Sequence, residues 1–388
     1  MLPHPFSNNE KDNMTIVADH PRTVQQLEVT GGVDTHADFH VAAVIDPLGR
    51  HLAHETFPTT PSGYRALIGW LQSHGHVIQV GVEGTGAYGA GLARAMHVAE
   101  LTVVEVDRPD RKARRDQGKT DPLDAYAAAR AAASGQATGT PKTRTGDVES
   151  VRTLRVARTG AIRARAKALT QLKALIVTGP EELRTHLAGL DGAQLIATCA
   201  RLRPGRNEPA PVSPHAKRPP RPGRLADPTA ATKRALASIA TRIGHLDDEL
   251  AGLDNDLHTL ITPIAPTLLA LQGVGLDVAG QLLATVGDNP GRLRDESTFA
   301  HLCGVAPIPA SSGKTTRHRL NRGGDRAANA ALYRIVICRL RHDQRTRDYV
   351  ERRTQQGRSK AEIIRCLKRY IAREVFTAIT TDFTPTTT

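Results

Sequence analysis

The 388 residues are enough for two or three domains with cores of their own, and a net charge of +13 with a pI near 10.0 calls for a polyanionic partner, most simply nucleic acid. No run of 18 apolar residues occurs, and the first residues carry acids, asparagines and prolines instead of an apolar signal core, so the expectation is a cytoplasmic protein with no membrane partner. Cys199, Cys303, Cys338 and Cys366 are too scattered for a zinc knuckle and too few for a disulfide framework; aromatic residues at 3% argue against gripping single strands mainly by stacking.

Residues 1–24 are polar, lack periodicity and include a second methionine, Met14, which predicts a flexible leader. From Gln25 the pattern becomes β-rich. Runs at 27–33, 40–45 and 51–57, separated by turn residues such as Asp46-Pro47-Leu48-Gly49, predict a three-strand meander. A helix around Leu67 to Leu71, a strand over 77–82 ending at Glu83, a helix over 88–97 and a strand over 101–106 follow, giving an α/β layer architecture for residues 25–142.

That architecture ends on Lys119-Thr120-Asp121-Pro122-Leu123-Asp124-Ala125, where Thr120 or Asp121 is a candidate N-cap and the alanine run favours helix. Asp121 and Asp124, three residues apart, share one helix face. Locally the pair is either an acidic helix start stabilised by the helix dipole or a seat for a divalent ion. Asp34 at the end of the first strand and Glu83 at the end of the fourth each read singly as a turn or loop acid. As an ordered set, the four match how ribonuclease-H-like nucleases gather acids from separate elements. Carboxylates without cysteine suit Mg²⁺, or Mn²⁺, and two such ions about 3.5–4 Å apart stabilise the attacking and leaving oxygens of a phosphoryl displacement. His36, Asp38 and His40 alternate with Asp34, so on one strand they would share its face, as polar surface or as a second layer around the acid.

Arg111, Lys112, Arg114, Arg115 and Lys119 form a basic turn that either seats phosphates or is a solvated loop. Residues 147–177 predict a long basic helix with a weak apolar seam through Leu154, Ala161, Ala168, Leu172 and Leu175, ending at Gly179-Pro180. Short helices are expected over 181–200, and 201–228, with eight of the 24 prolines, reads as a basic linker or an arm on nucleic acid. Leu236, Ile239, Ile243, Leu246, Leu250, Leu253, Leu257 and Leu260 then recur at spacings of three and four, a coiled-coil pattern that assigns 143–262 to a coiled-coil region. Its partner is either the 147–177 helix folded back or another copy of the chain; an ordinary amphipathic helix is the plainer alternative.

Residues 263–380 read as a mainly helical C-terminal domain. Two short helical patterns joined by Gly273-Val274-Gly275 outline a helix-hairpin-helix, whose glycines would let backbone N–H groups approach a phosphate, or a simple helical corner. Ser311 and Ser312 precede Gly313 and Lys314, with Arg317, Arg319, Arg322 and Arg326 close behind. Such a loop exposes a hydroxyl to a phosphate among arginines able to stabilise an alkoxide, or merely binds phosphate, or is only flexible. Residues 311–373 hold 18 Lys and Arg against 5 Asp and Glu, so the basic excess is concentrated there. Helices are expected around 330–341 and 360–379, with an unstructured tail at 381–388.

The ordered set of Asp34, Glu83, Asp121 and Asp124, the leucine seam, the Gly-Val-Gly corner, the Cys303-Gly-Val-Ala-Pro-Ile-Pro-Ala-Ser-Ser-Gly-Lys loop and the Asn321-Arg-Gly-Gly-Asp-Arg segment together resemble the DEDD-type insertion-sequence transposases. The resemblance spans roughly residues 30–378. It implies a RuvC-like N-terminal domain whose acidic tetrad binds Mg²⁺, and a C-terminal transposase domain whose Ser312, or its neighbour Ser311, attacks DNA to form a phosphoserine intermediate. It further implies double-stranded DNA ends and targets, a guiding bridge RNA encoded by the element, a homodimer or homotetramer assembled through the coiled coil, and action at the bacterial nucleoid. Two readings from other classes stand beside it: a RuvC-like endonuclease using only the acids and water, and a non-catalytic DNA-architectural protein.

Overall fold

A computed structural model describes residues 27–106, 120–204, 227–314 and 318–384. The expected leader, the basic turn carrying Arg111, Lys112, Arg114, Arg115 and Lys119, and most of the Pro-rich segment lie outside these residues, as does Arg317. The chain divides into two compact units, one up to Thr140 and the other from Pro141.

The first unit is a mixed sheet with helices on both faces. Strands β1 (Glu28–Thr35), β2 (Phe39–Ile45) and β3 (His51–Pro58) form the antiparallel meander, and β4 (His76–Glu83) and β5 (Val103–Val106) add in parallel beyond β1, giving the order β3-β2-β1-β4-β5. Period-two alternation decides which side chains each face receives. Val29, Val33, Ala42, Val44, Val80 and Val82 join α1 (Pro61–Ser73) and α2 (Ala90–Val98) in one core through Leu67, Leu71, Leu92 and Met96. Val41, Ala43 and Ile45 face the other way, onto Ala125, Tyr126 and Ala129 of α3 (Asp121–Ala133).

The second unit is mostly helical. The basic helix α4 (Asp147–Val177) and the leucine-seamed helix α7 (Pro228–Ile264) run antiparallel in the same chain. Arg158 pairs with Asp254 at 2.5 Å and Arg165 with Asp247 further along, while Ala168 and Leu172 pack with Leu236, Ile239 and Ile243. The folded-back helix is thus a partner of the seam; Leu246, Leu250 and Leu253 in its middle are only partly buried. Short helices α5 (Glu181–Leu187) and α6 (Gly192–Ala200) complete that end through Leu187 and Leu195.

At the opposite end α8 (Pro266–Ala270), α9 (Leu276–Val286), α10 (Glu296–Leu302), α11 (Arg326–His342), α12 (Gln344–Gln355) and α13 (Lys360–Phe383) surround a core containing Leu282, Phe299, Ile335 and Val375, which Val148, Val151, Leu257 and Ile261 of the long helices also enter. Asp277 in the first turn of α9 ties three elements together, accepting from Arg155 at 2.8 Å and pairing with Arg158 and Arg334. Despite the length of α4 and α7, no helix among the described residues is apolar enough to cross a membrane.

Three elements depart from the expectations. Helix α12 has almost no apolar stripe to announce it and is started by Asp343, whose carboxylate accepts from the Thr346 N–H at 3.0 Å. A two-stranded ribbon, β6 (Ile308–Pro309) and β7 (His318–Arg319), carries the serine loop. The start of the tail expected to be unstructured from residue 381 is helical, because α13 continues to Phe383: Asp382 accepts the N–H groups of Thr267 and Leu268 at 2.8 and 2.9 Å, capping α8 and holding its own last turn.

Candidate active site

Gly32 and Gly81 stand opposite each other in the β1–β4 register. A Cβ on Gly32 would lie 2.1 Å from the Ala125 carbonyl oxygen, and one on Gly81 2.3 Å from that of Ala128. The missing side chains therefore let the backbone of α3 lie directly on the sheet. Two residues further along each strand, on the same face, come Asp34 and Glu83. Thr35 locks the two strand ends by donating its hydroxyl to the Glu83 carbonyl at 2.9 Å, and Gly84, at φ +70°, turns the chain away.

Helix α3 brings its first turn, with Asp121 and Asp124, to this edge. Asp34 and Asp124 are buried, Asp121 and Glu83 partly so. Burial pushes the Asp34 carboxyl above its ordinary range, the nearby charge of His36 opposes this, and the charges of Asp124 and Asp121 add to the upward shift. A bound cation would offset such a desolvation and repulsion cost, and Asp34, His36 and Asp121 offer ligand atoms within 4.8 Å of one another. Asp124 interacts electrostatically with Asp34 but is not in that triplet, nor is Glu83.

The shared-face expectation for His36, Asp38 and His40 fails, because β1 stops at Thr35 and a tight turn intervenes, closed by the His36 N–H on the Phe39 carbonyl at 3.1 Å. The turn swings His36 back over the site, its Nε2 lying 3.2 Å from Asp34 Oδ2 and 3.6 Å from Asp121 Oδ2. His40 instead sits wholly buried on the opposite face, stacked on Tyr64, where burial holds its pKa down. Spacing alone did not reveal this division, since it depends on where the strand ends.

In the second unit, the serine loop is built on a glycine-to-glycine contact. Gly304 has φ +64°, and a Cβ there would come within 2.6 Å of the Gly323 carbonyl; Gly324, at φ +83°, has the Leu302 carbonyl 2.6 Å from its own Cβ position. The Cys-Gly-Val-Ala-Pro and Arg-Gly-Gly-Asp segments thus pack backbone to backbone, which accounts for their glycines. Asp325 then caps α11 through the Ala327 and Ala328 N–H groups and accepts from Thr285 Oγ1 at 2.7 Å. Above this base, Ile308 pairs with Arg319 and Pro309 with His318, and Ser311, Ser312 and Lys314 are exposed in the connecting loop. Arg319, Arg322 and Arg326 are exposed too, Arg326 opening α11.

Asn329 takes a bracing part that no local pattern announces. Its Nδ2 donates to the Cys303 and Gly304 carbonyls at 2.9 and 3.1 Å, and its Oδ1 accepts from Lys368 Nζ at 2.7 Å, bracing the root of the ribbon against α13. Cys303 and Cys199 are buried, and burial pushes both thiols above their ordinary value. In the Gly273-Val274-Gly275 corner, Gly273 has φ +88° and its Cβ position lies 3.3 Å from Ile335 and Cys338 of α11, while the Cβ position of Gly275 is open.

Two family models match the chain. One, a transposase model of the IS110 DEDD type, matches residues 31–178, and the other, described as the transposase IS116/IS110/IS902 family, matches residues 265–351; together they take in more than half of the sequence. Among curated proteins the chain is similar to an uncharacterized 43.6 kDa protein of insertion element IS110 from Streptomyces coelicolor, at 28% identity over 140 residues. It is also similar to an uncharacterized 42 kDa protein of insertion element IS900 from Mycobacterium paratuberculosis, at 24% identity over 137 residues. Each match covers 34% of this chain and 34% of the relative, so the chain spans about a third of the length of the curated relatives it matches.

Proposed function

The chain belongs to the IS110-type insertion-sequence transposases, and from that premise we propose that it is a DNA transposase or recombinase that excises and inserts its own element by phosphoryl transfer. The observation that carries the reading is the convergence of Asp34, Asp121 and Asp124 at the carboxyl ends of the central strands β1 and β4, beside Glu83, with Asp34 buried among like charges. These acids would hold Mg²⁺, or Mn²⁺, as a two-metal site that neutralises charge on the attacking and leaving oxygens. His36 stands against Asp34 and Asp121, its Nε2 nearer to Asp34.

The second reactive group in this reading is Ser312, with Ser311 as the alternative, carried at the exposed tip of the β6–β7 ribbon. Its Oγ bonds to a backbone phosphorus as a P–O bond breaks and a deoxyribose hydroxyl leaves, producing a phosphoserine ester. Lys314, Arg317, Arg319, Arg322 and Arg326 would receive the phosphates around it, as would Arg111, Lys112, Arg114, Arg115, Lys119 and the Gly273 to Gly275 corner elsewhere. A RuvC-like fold, a helix-hairpin-helix role for that corner, an element-encoded bridge RNA, assembly as a homodimer or homotetramer through the coiled coil, and action in the bacterial cytoplasm at the nucleoid complete the proposal.

Ser312→Ala should abolish strand exchange and any covalent protein–DNA adduct while DNA affinity is kept. Full cleavage by that variant would favour the plain nuclease, which needs only the acids and water. Unchanged strand exchange in Asp121→Asn and Glu83→Gln would remove the enzyme reading and leave an architectural protein.

A further inference from the structure

A pocket of about 940 Å³ opens beside the root of the β6–β7 ribbon, walled by residues 304–307 and 318–321 on one side and by α12 and α13 on the other. Arg319, Arg353, Arg358, Arg365, Lys368 and Arg369 line it, with a single acid, Glu362; Arg369 is paired with Glu296, which does not line the pocket. That acid is committed, since it caps α13 by accepting from the Ser359 N–H and hydroxyl at 2.9 and 2.8 Å. Among the described residues no carboxylate lies within ion-pairing distance of Arg319, Arg353, Arg365 or Lys368. Lys368 gives its ammonium to a neutral amide, Asn329, and Arg353 Nε is buried without an acceptor among the described residues. Burial, with the charge of Arg365, holds the Lys368 amine below its ordinary value. Like charges drawn together and partly dehydrated in this way repel until an anion enters.

The pocket also contains one of the chain's few aromatics. Tyr370 is 49% exposed, and Tyr349 meets its ring edge-on at 5.7 Å. A phenol ring held in position and open to solvent beside guanidinium groups that lack a carboxylate partner combines the two elements that hold unpaired nucleotides, a stacking platform and a phosphate track. A base paired in a duplex has no free face for such a ring.

We propose that this pocket binds a single-stranded nucleic-acid segment, with phosphates on Arg353, Arg365 and Lys368 and a base stacked on Tyr370. The inference leans on the proposed reading only for the expectation that such a strand is a reaction partner; the binding chemistry stands independently of Ser312. DNA and RNA strands share the phosphodiester and the base face, so both are probed.

The test is fluorescence anisotropy of the full chain with a labelled 12-nucleotide single-stranded DNA, the RNA of the same sequence and the corresponding DNA duplex, across a salt series. The R353Q/R365Q double variant should weaken binding of a single strand about tenfold or more and reduce the slope of log affinity against log salt by about 1–2. Tyr370→Leu should weaken it about tenfold with the slope unchanged. Circular dichroism melts keep misfolding distinct from lost binding, and Lys368 is left in place because it braces Asn329. Loss on the DNA strand alone, on the RNA strand alone or on both supports the pocket and identifies its source. Equal loss on duplex and single strand, or no loss on either strand, overturns it. An adduct that persists in the doubly substituted S311A/S312A chain would remove the serine reading without touching this one.

Discussion

Gly32 and Gly81 face the same helix from neighbouring strands, and neither can take a methyl group without driving it into a carbonyl oxygen of α3. Backbone cannot yield as a side-chain end can. Gly81→Ala should therefore cost about 3 kcal/mol, at the upper end of overpacking effects, and displace Asp121 and Asp124 with the helix. A chemical-denaturation midpoint and Mg²⁺ titration of the same variant check this; unchanged values for both would refute the seating of α3.

Asp34 is kept at the site against its own solvation, so removing its charge relieves strain in the metal-free protein. Asp34→Asn should leave the chelated protein as stable as before, or more stable by about 1 kcal/mol. The rise in melting temperature that Mg²⁺ confers on the unaltered chain should vanish in this variant. Differential scanning calorimetry with and without chelator reads both, and an undiminished Mg²⁺ response would exclude Asp34 as a ligand.

Asp277 offers a pH-dependent test of the second unit. Burial alone would raise its carboxyl, but hydrogen bonds and charge from Arg155, with Arg334, outweigh this and hold it below its ordinary 3.8. A depressed acid contributes stability above its unfolded-state pKa and loses it as pH falls through the folded one. With a third of the side chain exposed, Asp277→Asn should cost about 1–2 kcal/mol at pH 7, and the difference should shrink as pH drops below 3.8. Urea unfolding across pH measures it; a pH-independent difference would assign the loss to packing.

Asn329 acts through the ribbon it braces. Asn329→Ala would leave Lys368 and two carbonyl groups without their partner, at a cost of about 1–3 kcal/mol. Hydrogen exchange should quicken over 304–309, and strand exchange should fall at least tenfold while Mg²⁺ affinity at the acids in the other unit is unaltered. Unchanged protection of that segment would mean the ribbon stands without this bracket.

What lay in the sequence was everything carried by local periodicity and by order. The 147–177 helix has the bounds its seam predicts, the meander follows from alternation and turn residues, and Asp34, Glu83, Asp121 and Asp124 were legible as candidates because each lies near the end or the start of an element. Helix α12 escaped because its stability comes from a cap and tertiary contacts, with almost no apolar stripe of its own.

Only the tertiary structure decided which neighbours meet. The Gly-Val-acid pattern occurs twice, at Gly32 to Asp34 and Gly81 to Glu83, yet its meaning depends on a helix some fifty to ninety residues onward pressing on both glycines. His36 and His40 are chemically alike and four residues apart, but the end of β1 sends one to the acids and the other into the core. Asn329 and Lys368 have no local pattern at all, because a hydrogen bond between α11 and α13 exists only once the packing has set their distance. Propensity and alternation act over a few residues, whereas burial, close backbone approach and charge gathering are properties of distant segments brought together.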